Sequence, residues 1–281
     1  MNSILKKIAL KQNLKLENAK SLQGGDINEV FLLECGSEKY VIKINEASKY
    51  PNMFESEALG LKLLQVTNSF KIPKIIAAGV EGKTSYLLLE YISTGSTYQV
   101  FWKDFAYCLV KLHQTTQNNF GLKHNNYIGS LQQINNIESS ASDFYINQRL
   151  IPQFKIADEL DFKFSSLERF FKNISEEIPD EAPSLIHGDL WNGNYMVSNK
   201  GEPTLIDPAV AYAPREMDIA MMHLFGGFPQ DVYSIYNEQF PLIENWKDRI
   251  SLWQLYYLLV HLNLFGSSYL SQVKGIIKRY S

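Results

Sequence analysis

The sequence predicts an α+β fold of two lobes: a small β-rich N-lobe over residues 1–92 and a larger, mostly helical C-lobe over residues 93–281. Three observations predict it. Residues 15–45 and 73–92 read as short strands separated by turn residues. Beyond residue 100 the apolar residues recur at helical spacing. Between the two regimes lies Ser93-Thr94-Gly95-Ser96-Thr97, a polar run without apolar periodicity and the natural linker.

The elements follow in order. Met1 to Leu14 alternates Ile, Leu and Ala with Lys, which predicts a short amphipathic helix on Ile4, Leu5 and Ile8, without the continuous apolar core of a signal peptide. Glu29 to Glu34 and Lys39 to Asn45 are strands joined by the turn Cys35-Gly36-Ser37-Glu38, a hairpin that follows the loop Gly24-Gly25-Asp26. Pro51-Asn52 opens a helix with Phe54, Ala58, Leu61 and Leu64 on one face. Lys74 to Val80 and Thr84 to Ile92 are the last strands of the N-lobe, giving five strands and one helix.

In the C-lobe, Phe101, Phe105, Leu109 and Leu112 share a helical face, and residues 118–142 read as irregular, with 125–130 the most structured part. Phe164, Leu167, Phe170, Phe171 and Ile174 define another helix. Helices are also expected over 218–224, 230–240, 245–265 and 269–280. The most apolar stretch, Leu252 to Phe265, is shorter than a membrane span and carries Gln254, His261 and Asn263, so it reads as a buried helix.

Composition excludes several classes. A net charge of −3 offers no basic surface for nucleic acid. Cys35 and Cys108 are the only cysteines, too few for a disulfide framework or a zinc site, which suits a reducing cytoplasm. With 16 Phe, 16 Tyr and 4 Trp the chain can fill a sizeable core. No membrane partner is expected, and nothing demands more than a monomer or weak dimer.

The chemistry concentrates in Leu185-Ile186-His187-Gly188-Asp189-Leu190-Trp191-Asn192-Gly193-Asn194-Tyr195. Asp189 and Asn194 are five apart, the D-x-x-x-x-N spacing of a phosphoryl-transfer loop. A carboxylate there can accept or orient the acceptor's proton, and an amide oxygen five residues on can ligate Mg²⁺, which prefers oxygen. Asp207 ends the next strand, where a second metal ligand belongs. Such a match alone is common by chance as a capped polar turn. The strand on either side and Asp207 after it are what raise it to a phosphotransferase site.

Tyr40-Val41-Ile42-Lys43 resembles the strand that carries a phosphate-binding lysine. A lysine on the inner face needs a counter-charge. Glu57 is favoured over Glu55 because it shares a helical face with Leu61 and Leu64. Gly24 and Gly25 would let backbone N–H groups approach phosphates. The backbone of Glu90, Tyr91 and Ile92, at the end of the last N-lobe strand, would meet adenine. Asp218 is either a helix N-terminal acid or a brace for the catalytic loop. Trp191 either stacks on substrate or anchors the loop.

Together these residues resemble the fructosamine (ketosamine) kinases, which are protein-kinase-like small-molecule kinases. His187 to Asn194 is similar to their H-G-D-L-W-x-G-N signature, and Gly24-Gly25-Asp26-Ile27-Asn28 to their glycine loop. Phe54-Glu55-Ser56-Glu57 resembles their F-x-x-E helix, Asn126-Tyr127-Ile128-Gly129-Ser130 their N-Y-I-G-S segment, and Gln148-Arg149-Leu150 a following R-L helix. Ile206-Asp207-Pro208-Ala209 and Leu224-Phe225-Gly226-Gly227-Phe228 complete the likeness, which covers nearly the whole chain.

The resemblance implies ATP-dependent phosphorylation of the 3-hydroxyl of small-molecule or protein-bound ketosamines. The labile 3-phosphate then leaves and the amine is recovered. It implies Asp189 as base, Asn194 and Asp207 as Mg²⁺ ligands, Lys43 on phosphates, and Trp191, His187 and Tyr127 at the acceptor. The chain departs from the family in carrying Asp26 where some relatives have a redox-active cysteine, and Leu131-Gln132 and Ala141 where Thr-Pro and Trp are frequent. Two other readings stay open: a kinase of another amine-bearing molecule, aminoglycoside or choline, and an inactive kinase-like binding module.

Overall fold

The computed structural model describes residues 2–22 and 27–281, so Gly24, Gly25 and Asp26 lie outside the described residues. The chain forms two compact units, Met1–Tyr98 with Met196–Asp207, and Gln99–Tyr195 with Pro208–Ser281.

The first unit begins with α1 (Asn2–Lys11). A five-stranded antiparallel sheet follows, built from β1 (Asn18–Leu22), β2 (Glu29–Cys35), β3 (Glu38–Glu46), β4 (Ile75–Glu81) and β5 (Thr84–Glu90), in the order β1-β2-β3-β5-β4. Helix α2 (Met53–Val66) lies between β3 and β4 in sequence. Side chains alternate across a strand with period two. Ile42 and Ile44 therefore join Phe31, Leu33, Tyr86 and Leu88 in a core with Leu5 and Ile8 of α1, and Lys43 points to the opposite face. That face belongs to β3, the central strand of the sheet, so Lys43 is only 6% exposed.

The expected linker is not a free tether. Gly95 N–H donates to the Val197 carbonyl at 2.9 Å and Asn199 N–H to the Ser93 carbonyl at 2.7 Å. Lys71 closes the other side, donating to Pro203 and accepting from Leu205, each at 3.0 Å. These bonds attach the hairpin of β9 (Tyr195–Val197) and β10 (Pro203–Leu205) to the first unit from Met196 onward.

The second unit contains α3 (Phe101–His113) and the hairpin β6 (Asn126–Ile128)–β7 (Leu131–Gln133). Next comes a helical run: α4 (Ala141–Asp143), a π-helical stretch Phe144–Leu150, and α5 (Ile151–Glu159). After α6 (Leu167–Glu177), strand β8 (Ser184–Ile186) leads into the motif loop and pairs antiparallel with β11 (Ala211–Ala213). Helices α7 (Glu216–Phe225), α8 (Gln230–Gln239), α9 (Trp246–Phe265) and α10 (Leu270–Arg279) complete it.

Leu252, Trp253, Leu255 to Val260 and Leu262 of α9 are all buried. A helix apolar all round belongs in a core, and α9 forms the axis of one that includes Phe144, Tyr145, Ile186, Met217 and Met221. No helix among the described residues is long and apolar enough to cross a membrane.

The helical run over 141–159 was not legible from periodicity. Its least expected residue is Arg149, a charge buried in the core. The guanidinium donates to the carbonyls of Ile134 and Gln148 and to Asn135 Oδ1, and lies 4.4 Å from the centroid of the Phe144 ring.

Candidate active site

In the first unit Lys43, Glu57 and Asp207 come together. Lys43 Nζ donates to Glu57 Oε1 at 2.7 Å and to Asp207 Oδ1 at 2.5 Å. Glu57 reaches the lysine from α2, on the helical face it shares with the buried Leu61 and Leu64. Burial by itself would lower the Lys43 pKa, but the carboxylates of Asp207 and Glu57 outweigh it and hold the pKa above the ordinary lysine value. Burial pushes the Glu57 carboxyl up; Lys43 opposes this incompletely, and the charge of Asp207 adds to the rise. Asp207 sits at φ +57°, a left-handed conformation that Asp tolerates better than most residues.

Glu90 and Tyr91 lie at the end of β5. Their N–H groups donate to the carbonyls of Lys74 and Lys39 at 2.8 and 3.4 Å, and Ile92 beyond them is buried.

In the second unit the 187–194 loop leaves β8 and is held from beneath. Asp218 of α7 is fully buried; its Oδ2 accepts from the His187 N–H at 2.7 Å and its Oδ1 from the Gly188 N–H at 2.9 Å. Of the two readings the sequence left open for Asp218, this geometry is that of a brace. Gly188 turns the chain at φ +83°, and a Cβ there would lie 2.1 Å from the Ala209 carbonyl oxygen. The loop crosses that backbone too closely for any side chain. Ala209 N–H in turn donates to the His187 carbonyl at 2.9 Å.

His187 is fully buried, and its Nδ1 accepts from the Asp189 N–H at 3.3 Å. That position corrects the expectation of a substrate contact: the ring supports the loop from inside.

Asn194 is also buried. Its Nδ2 donates to the Asp189 carbonyl at 2.8 Å and to Asp189 Oδ2 at 2.9 Å. Both amide hydrogens are thereby committed to Asp189, which leaves the amide oxygen as the atom of Asn194 suited to a cation. The next residue, Tyr195, packs its ring among Phe101, Trp102, Phe105 and Phe228, with centroids 5.4 to 6.3 Å away. The C-terminal end of the loop is thus fixed in an aromatic cluster to which the Phe228 of the F-G-G-F segment contributes.

Trp191 is 37% exposed and packs edge-on against Phe225 at 6.1 Å. Its ring also occupies the space beside Gly193, where a Cβ would lie 2.4 Å from ring carbons. Anchor and exposed surface are therefore the same side chain, which explains the glycine two residues after the tryptophan.

Tyr127, on β6, is half-buried, and burial raises its hydroxyl pKa. Its hairpin is pinned behind the loop, where Asn126 Nδ2 donates to the Val210 carbonyl and Gln133 Nε2 to the Ala209 carbonyl, at 2.9 and 3.0 Å. Sequence reasoning passed over Asn126, Gln133 and Arg149 as site supports because their partners are remote in sequence.

Comparison with known proteins places this geometry. The chain is 37% identical over 263 residues to a protein of Enterococcus faecium named a "probable ketoamine kinase", covering 92% of this chain and 93% of that one. A crystal structure from Haemophilus somnus, provisionally assigned as a fructosamine-3-kinase, superposes with a TM-score of 0.91 at 29% identity, covering 100% of this chain and 97% of the other. An aminoglycoside phosphotransferase, APH(4)-Ia, superposes at TM-score 0.64 and 15% identity over 98% of each chain, a likeness of fold alone, and the fold is the protein-kinase-like α+β type. The family model for fructosamine kinase matches residues 2–281, and with these relatives and this loop the chain belongs to the fructosamine kinase family.

Proposed function

We propose that the chain is an ATP-dependent ketosamine 3-kinase, acting on free or protein-bound ketosamines and so returning glycated amines to their native state. The observation that carries this reading is the double donation from Asn194 to Asp189. It fixes a carboxylate for the acceptor proton beside an amide oxygen for the metal, in a family whose members are ketosamine kinases.

In the transfer, a bond forms between the 3-oxygen of the ketosamine and the γ-phosphorus. The bond from that phosphorus to the β,γ-bridging oxygen breaks, and ADP leaves with the electron pair. The hydroxyl proton passes to Asp189. Lys43 would exchange Asp207 for phosphate oxygens, with Glu57 holding its ammonium in place. The N–H groups of the Gly24-Gly25 loop would approach the same phosphates, and the backbone of Glu90 to Ile92 would meet adenine.

The Asn194 amide oxygen and the Asp207 carboxylate are hard oxygens that fit Mg²⁺, which when bound neutralises phosphate charge. Among the described residues no group of three or more His, Cys, Asp or Glu side chains could hold a metal. The nucleotide would therefore supply further ligands, as Mg²⁺ sites commonly arrange. Trp191 and Tyr127 would face the acceptor. A cytoplasmic setting suits two free cysteines.

The test is a panel of fructosyl-, ribulosyl- and erythrulosyl-amines with Mg-ATP, read by mass spectrometry for a phosphate gain. Aminoglycosides and choline serve as competing acceptors. Phosphorylation of one of these with none on the ketosamines would refute the substrate assignment. Asp189→Asn should lower kcat by about 10²- to 10⁴-fold, the usual contribution of a general base.

A further inference from the structure

Beneath the catalytic loop runs a buried chain of hydrogen bonds that the transfer chemistry does not itself use. It starts at Arg215, just before α7, and ends at Asp218. Arg215 Nη1 donates to the Tyr236 hydroxyl of α8 at 3.2 Å. That hydroxyl lies 2.8 Å from His113 Nδ1, at the end of α3, and His113 Nε2 lies 3.2 Å from Asp218 Oδ2. Arg215, Tyr236, His113 and Asp218 are each at most 1% exposed.

The donor inventory orients every hydrogen in this chain. The Asp218 carboxylate accepts, so His113 Nε2 carries the hydrogen between them. Arg215 can only donate, so the Tyr236 oxygen accepts from it and turns its own hydrogen to His113 Nδ1. If Nδ1 also carried a hydrogen, the Tyr236 oxygen would face two donors, and its own hydrogen would need an acceptor in a sealed interior. One tautomer of His113 therefore satisfies all four groups.

Both ends are fixed. Arg215 Nε and Nη2 grip Glu181 Oε1 at 2.9 and 2.5 Å, and the guanidinium also donates to the carbonyls of Phe240 and Pro241 at 2.7 and 2.6 Å. At the far end, Asp218 distributes its two oxygens to the N–H groups of His187 and Gly188, the residues that precede Asp189.

We infer that His113, Tyr236 and Arg215 are positioning residues for phosphoryl transfer, acting on Asp189 through Asp218. The inference rests on the reading that the 187–194 loop carries the chemistry. Asp218 has three donors on two oxygens, and His113 is the one that comes from a different helix. Without it the carboxylate can rotate, and both loop N–H groups rotate with it. A loop shifted by a fraction of an ångström still binds nucleotide but presents Asp189 poorly to the acceptor hydroxyl.

The experiment compares His113→Met, which fills the space without a donor, with His113→Gln, whose amide N–H can reach Asp218. Steady-state constants are measured for both substrates per mole of folded enzyme. His113→Met should lower kcat by about 10- to 100-fold, the scale of a misplaced catalytic group. KM for ATP should stay within about twofold. His113→Gln should recover most of kcat.

Equal kcat in both variants and wild type, with only thermal stability changed, would mean that His113 merely fills the core and the inference is wrong. Should His113→Met fail to fold, Tyr236→Phe decides, since it deletes one oxygen. Its ¹⁵N spectrum should show His113 losing its single tautomer while kcat falls. An unchanged tautomer with unchanged kcat overturns the relay. Asp189→Asn run alongside separates the two claims: if it retains wild-type activity the reading of the loop fails, whereas a crippled Asp189→Asn beside a normal His113→Met defeats the relay alone.

Discussion

Lys43 in the first unit holds two carboxylates, one on a partly exposed side chain and one buried. Asp218 in the second unit is held by donors that are themselves buried. The Lys43 set carries one ammonium and two carboxylates, and Asp207 is 43% exposed at its side chain while Lys43 is 8%. One contact is thus open to solvent, and the other, to Glu57, is a buried anchor. The Asp218 set is closed: Arg215, Tyr236, His113 and Asp218 are all buried. Charge that must be handed over during a reaction is kept at an edge. Charge that must only define a position is sealed inside, where low dielectric strengthens each hydrogen bond.

Three substitutions would break or sharpen this contrast. The largest effect is expected from Gly188→Ala in the closed set. The added Cβ would meet the Ala209 backbone oxygen at 2.1 Å in a left-handed conformation, and backbone cannot swing away as a side chain could. A loss on the order of 3–4 kcal/mol in chemical unfolding is expected, the range of the severe core substitutions. Activity should be lost with it. A variant with near-normal stability and activity would show that the loop tolerates displacement.

Lys43→Met should be second. It should cost roughly 10²-fold or more in kcat/KM for ATP, as the loss of one fixed donor to a charged transition state commonly does. Its stability should also become pH-dependent in a defined direction. The Glu57 carboxyl is already raised from the ordinary 4.5 by burial and by Asp207, and without Lys43 nothing opposes that rise. The folded state then binds a proton that the unfolded chain releases. Stability is greatest at low pH and falls as pH climbs from near 4.5 through the folded-state value. Melting temperatures from pH 5 to 8 should show this slope in Lys43→Met, and adding Glu57→Gln should flatten it. A flat profile in Lys43→Met itself would argue that Glu57 is hydrated.

The smallest effect is expected at the exposed edge of the loop. Gly193→Ala places a methyl 2.4 Å from the Trp191 ring, but that ring is partly exposed and can move. Stability should change by about 1 kcal/mol or less, since the strain falls on a surface side chain. KM for the ketosamine should rise if Trp191 touches it. Combining Gly193→Ala with Trp191→Ala should relieve the strain without restoring KM, and restoration would assign Trp191 to anchoring alone.

Much of the site could be read from spacing because its residues are close in sequence or on regular elements. Strand alternation set Lys43 opposite Ile42 and Ile44, and helical periodicity chose Glu57 over Glu55; both follow from the repeat of a single element. The role of Asp218 was half legible: a helix N-terminal acid is obvious from sequence, but the two loop N–H groups it serves lie some thirty positions away, at separations of 31 and 30. The run over 141–159 was legible only at Gln148-Arg149-Leu150, through the resemblance, because Arg149, Gln148 and Pro152 interrupt its apolar pattern. His187 was misjudged because a polar ring in a catalytic motif suggests substrate, and only the packed structure shows it enclosed.

By itself, then, the sequence determined most of the element types, the motif loop, the lysine and its glutamate, and through the signature residues the family. These depend on local periodicity and on backbone demands that a few residue types satisfy. Tertiary structure alone decided that Ser93 to Thr97 is bonded to a distant hairpin, that the Arg149 charge is satisfied by carbonyls and a ring, and that His113 and Asp218, separated by 105 positions, share a hydrogen bond. A buried polar group must be paired, but the chain reveals which partner it takes only when it folds.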